Sequence, residues 1–125
     1  DELFDQASLQ FFTSDAGLPG EGEAFRDYGL VSLFPASSET QIVIIAGMRD
    51  AGLMHTAKAL ADTESLNDLT RALETADSSS PVSFEALYEV FGVDRLNFDA
   101  NLVYTHSLDP KQIWKNSLGR KTRPL

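Results

Sequence analysis

The sequence predicts an α+β domain, a two-layer structure in which a mixed, mainly antiparallel sheet of four or five strands carries two consecutive helices. Three observations predict it. Ile42, Val43, Ile44, Ile45 and Ala46 form an unbroken apolar run that stops at Gly47. Two apolar patterns at helical spacing follow back to back over 51–62 and 65–76. Segments 27–34 and 96–107 alternate in the period-two manner of strands. The predicted order is β-β-β-α-α-β-β: strands 8–13, 27–34 and 41–46, helices 51–62 and 65–76, strands 83–91 and 96–107.

The chain opens with Leu3, Phe4, Leu9, Phe11 and Phe12. Residues 8–13 suit a short edge strand, and Leu3 and Phe4 a packed arm. Residues 14–24 hold three glycines and a proline and read as a loop. In 25–34, Tyr28, Leu30, Ser32 and Phe34 share one face and Gly29, Val31 and Leu33 the other. Five residues, 36–40, then suit an antiparallel return into 41–46. That run lacks polar alternation, which predicts a strand covered on both faces. Asp50 is expected to cap the first helix, with Leu53, Met54, Ala57, Leu60 and Ala61 as its apolar face. Asp62, Thr63 and Glu64 break the pattern. Thr63 or Ser65 caps the second helix, whose face is Leu66, Leu69, Ala72, Leu73 and Ala76. Residues 77–81 end it.

Residues 82–93 fit a helix by the spacing of Phe84, Leu87, Tyr88 and Phe91. They fit a strand by their shortness, their aromatic and branched content, and the turn signal at 92–95. The strand is preferred. In 96–107, Leu96, Phe98, Ala100, Leu102, Tyr104 and His106 are expected on one face. Asp109 and Pro110 start a turn or short helix reaching Asn116.

The length of 125 residues suits a single domain: an arm and loop over 1–24, a core over 25–108 and a basic tail over 109–125. All 19 acidic residues lie within 1–109, where only five basic residues stand against them, a net charge of −14. Such a body repels nucleic acid and predicts no direct binding to it. The tail holds Lys111, Lys115, Arg120, Lys121 and Arg123 without an acid and is expected to be solvated or to lie on the acidic body. No cysteine exists, which excludes disulfides and thiolate chemistry. No stretch approaches the roughly 20 apolar residues of a membrane span. The first residue is not Met, so the chain is expected to be part of something longer. Its compartment, cytoplasmic or periplasmic, stays open.

The turn over 47–53 has P-loop glycine spacing, but Leu53 and Met54 stand where that motif needs Lys and Ser/Thr. Gly47, Arg49, Asp50, Gly52 and His55 are the candidate ligand-binding residues, since helix N-termini attract anions. The competing reading is turn geometry, with Asp50 a cap and Arg49 solvated. His55 and His106 lie in no metal-ligand spacing. No serine elbow or catalytic motif is present. The sequence therefore predicts no catalytic residues, no metal site and no cofactor. The aromatic residues fill a core or line a pocket.

Asp27 to Ser32, Gln41 to Gly47 with the following helix, and Ser83 to Leu87 together resemble a poorly characterised bacterial domain. That domain forms the C-terminal part of longer proteins, some carrying a winged-helix DNA-binding region. The resemblance spans roughly residues 25–107 and brings no functional residues with it. It implies a non-catalytic ligand-sensing or protein-interaction module of a regulator-like protein, and a strand over 83–91. The alternatives are a small enzyme or anion-binding protein using the 47–53 turn, and a homodimerisation domain. A small molecule or a protein is the expected partner.

Overall fold

The computed structural model describes residues 2–15, 24–74, 83–93 and 96–121. A long strand at 24–35 lies between two antiparallel neighbours. In chain order the elements are β1 (Glu2–Asp5), β2 (Gln10–Thr13), β3 (Ala24–Pro35), β4 (Gln41–Gly47), α1 (Asp50–Ala61), α2 (Thr63–Glu74), β5 (Phe84–Val93), β6 (Leu96–Ser107) and α3 (Pro110–Lys121). Among the described residues, β4-β3-β5-β6 form one antiparallel sheet, and β1 and β2 form a separate hairpin. The fold is thus α+β with a mainly antiparallel sheet, as the sequence predicts. The strand reading of 83–91 holds. The first segment differs: its strand is Gln10–Thr13, and it pairs with Glu2–Asp5 outside the main sheet.

One face of the sheet packs α1 and α2. Val31, Phe84, Ala86 and Tyr88 from the sheet meet Ala59 and Leu69 from the helices, with Leu33, Leu60, Leu73, Ala100 and Leu102 around them. On the other face Phe12 of the hairpin contacts Tyr28 and Tyr104, at ring separations of 5.4 and 5.9 Å. At the far end of that face Trp114 of α3 packs on Phe34 and donates from Nε1 to the Pro35 carbonyl at 2.8 Å. The C-terminal segment therefore runs as a helix to Lys121 rather than stopping near Asn116.

Three elements depart from the sequence reading, each for a local reason. Among the described residues strand β4 is an edge strand hydrogen-bonded only to β3, and it is not covered on both faces. Helix α1 presents Gly52, Thr56 and Ala59 to the sheet, while Leu53, Met54, Ala57 and Ala61 are exposed. The cause is the contact between β3 and α1. A Cβ on Gly29 would collide with Thr56 and with the Gly52 carbonyl, and a Cβ on Gly52 with the Tyr28 carbonyl. Two glycines facing each other bring backbone against backbone, and this turns the bulkier residues outward. In β6 the register shifts between Leu87/Tyr88, so Tyr104 pairs with Leu87 but Leu102 with Tyr88. This bulge at Val103 splits the expected single face. Ala100 and Leu102 join the helix-side core, while Tyr104 and His106 point to the hairpin side.

Helix caps differ too. The α1 N-cap is Arg49, without a side-chain capping bond, and Asp50 lies in the first turn. Asp62 both follows α1 and starts α2, its Oδ2 accepting from the Ser65 N–H at 3.0 Å and hydroxyl at 3.1 Å. Ala76 and the stop over 77–81 lie outside the described residues.

Candidate functional site

The turn from β4 into α1 is built around a carboxylate that no local motif announces. Asp27, on the helix side of β3, is completely buried. Its Oδ2 accepts the Gly52 N–H at 2.6 Å and its Oδ1 the Ser14 hydroxyl at 2.6 Å. Gly52 is the third residue of α1, so Asp27 supplies from another strand the bond that an N-cap side chain normally makes. The Met48 N–H donates to the Tyr28 carbonyl at 3.0 Å and the Leu53 N–H to the Arg49 carbonyl at 3.1 Å. A carboxylate of the protein thus already stands at this helix N-terminus. Of the five residues singled out in the turn, Gly52 is buried against β3, His55 is half-buried, and Gly47, Arg49 and Asp50 are exposed. Gly47 has its own packing reason: a Cβ there would meet the Leu53 backbone.

The most unusual surface lies beside that turn. Val43, Ile44 and Ile45 of β4 are 57%, 47% and 37% exposed. Edge strands ordinarily protect their open backbone with charges, proline or bulges. No charged residue or proline occurs in β4, and its pairing with β3 runs without a register shift. Leu53 and Met54 of α1 are also exposed, and Leu53 lies over Gly47. The result is an apolar border made of an open strand and the adjoining turn of a helix. Its sequence signal was the run 42–46, which by itself does not tell a central strand from an uncovered one.

On the opposite face, His106 lies far from His55 in role. Its Nε2 is 3.2 Å from Asp5 Oδ2, and its ring stacks on Tyr104 at 4.2 Å. Asp5 is buried at the end of β1, where it also accepts from the Ser8 hydroxyl and from the Ser8 and Ala7 N–H groups. The Ser8 hydroxyl bond is the main cause holding the Asp5 carboxyl below its ordinary value. Tyr104 is pushed up to about 12 by burial, with Asp5 and Glu85 adding to the rise.

No family model, curated protein or solved structure matches the chain. Among the described residues no helix is long and apolar enough to cross a membrane.

Proposed function

We propose that the domain is a non-catalytic protein-interaction module that pairs with a second copy of itself along β4. The observation that supports this is the open, regular and uncharged border of the sheet. A strand edge of this kind is satisfied by another strand, whose backbone completes the hydrogen-bond ladder. The chain carries a fitting strand in β4 itself. Paired antiparallel about Ile44, Ile42 stands opposite Ala46 and Val43 opposite Ile45, so apolar residues meet on both faces. Such a contact is isologous and closes on itself. The acidic body argues for a contact at an uncharged border, where like charges are not brought together. Leu53 and Met54 extend the apolar contact beyond the strand. The resemblance to a module of regulator-like proteins is in keeping with this role.

Sedimentation velocity across a concentration series tests the reading. The wild-type chain is expected to sediment as a dimer at the higher concentrations. Ile44→Lys is expected to sediment as a monomer with an unchanged circular dichroism spectrum. Val103→Lys, on the opposite edge, is expected to leave the dimer intact. A wild-type monomer at every concentration, or a dimer indifferent to Ile44→Lys, overturns the proposal.

A further inference from the structure

On the sheet face opposite α1 and α2, three segments distant in sequence converge. β1 contributes Asp5, β5 contributes Glu85 and β6 contributes His106. One ligand atom from each lies within 4.8 Å of the other two. Glu85 and His106 are neighbours across the β5–β6 ladder, and Asp5 is brought over them by the hairpin.

The geometry points to a divalent transition-metal site formed by Asp5, Glu85 and His106, which clamps the β1–β2 hairpin to the sheet. Imidazole nitrogen with carboxylate oxygen is a donor set that zinc and its first-row neighbours accept. Metal bonds of about 2.0–2.2 Å place the donors of one ion roughly 3–4 Å apart. Asp5 and His106 already meet that spacing at 3.2 Å. Rotation of the longer, half-buried Glu85 side chain closes the remainder.

Charge supports a cation here independently of distance. Two carboxylates face one imidazole, so the cluster stays negative even with the imidazole protonated. One of the carboxylates, Asp5, is nineteen-twentieths buried at its side chain, and the Ser8 and Ala7 groups that donate to it carry no charge, so a cation beside it is favoured. The described arginine salt bridges, Arg26 with Glu89 and Arg71 with Asp68, lie elsewhere. Bonds outside the donor set also suit a metal site. The Ser8 hydroxyl and N–H hold Asp5, and Tyr104 stacks on the His106 ring, fixing both ligands in the way outer partners orient metal ligands.

Cobalt(II) added to the metal-stripped full-length chain is the probe, read by its visible ligand-field absorption and displaced by zinc. One equivalent is expected to bind. Glu85→Gln and His106→Gln are each expected to weaken binding by at least about tenfold, as loss of even an orienting partner does. Their circular dichroism should stay that of the wild type. In the wild-type chain zinc should shift the ring signals of His106 and not those of His55, and should slow amide exchange over residues 2–13. This second measurement stands even where a variant misfolds. Absence of cobalt binding, binding unaffected by both variants, or a zinc shift confined to His55 overturns the proposal.

Discussion

The two faces of the sheet are covered by different means. On the α1–α2 face, strand and helix backbones touch through Gly29 and Gly52, and Val31, Phe84, Ala86 and Tyr88 form a hydrophobic core with Ala59 and Leu69. On the hairpin face, attachment rests on the Phe12 ring, the Asp5–His106 pair and the bonds of Ser14 and Asp15 to β3, and Phe4, Leu9 and Phe11 stay exposed. Close packing spreads its stabilisation over many contacts, so the helix face belongs to the cooperative unit. A cover held by few buried contacts opens at lower free energy than the whole fold. Damage to one face should therefore unfold the domain, while damage to the other should only release the hairpin.

The strongest way to break this contrast is Phe84→Ala. It leaves a hole in the helix-side core and is expected to cost about 3–5 kcal/mol of global stability in denaturant unfolding. A loss confined to hairpin exchange would put the two faces on an equal footing. Next in size is Asp27→Ala, which leaves the Gly52 N–H buried without its acceptor. A global loss of about 1–3 kcal/mol is expected in the same assay.

Acid should act on the hairpin through Asp5. A carboxyl depressed in the fold contributes its stability above its unfolded-state value, and loses it as pH falls through the folded-state value. Asp5 is such a group, with an ordinary value of 3.8. The hairpin is thus fully held at neutral pH and loosens as pH drops below about 3.8, which proton-resolved spectra of residues 2–13 will report. Loosening that tracks global unfolding at every pH would erase the distinction. The smallest expected effect is a gain. Leu9 sits at φ 60° in the hairpin loop, a conformation that costs a residue with a Cβ roughly 1–2 kcal/mol and glycine little. Leu9→Gly should raise hairpin protection by about 1 kcal/mol or less in amide exchange, without moving the global transition.

What could be read from the sequence follows the range of the interactions involved. Alternation in 27–34, the short return at 36–40 and the strand at 83–91 are local patterns, and each appears in the fold as expected. The run 42–46 was equally local, yet its surroundings were not. Apolar residues on both faces suit a covered strand, and only the order β4-β3-β5-β6 reveals it as a margin. The orientation of α1 was hidden because a contact between two glycines outweighs the usual preference of Leu and Met for the interior. The bulge at Val103 reversed half of β6 and cannot be seen in a strictly alternating pattern. The polar groups were least legible. Asp27 reaches Gly52 across 25 residues, and Asp5 reaches His106 across 101. No spacing rule links such pairs, since the sheet register and the hairpin's position create them.

The sheet's two margins also bear on how far an assembly can grow. β4 is regular along its whole pairing, whereas the β5–β6 ladder is interrupted between Leu87/Tyr88 and between Val90/Gly92. Pairing β4 with β6 of the next copy would leave one of each at the ends and propagate into a fibre. Interrupted ladders twist and bend a margin and make it a poor template. Two copies joined through β4, as proposed, would turn the interrupted β6 margins outward. The unequal borders of one small sheet thus permit a pair and discourage a third member.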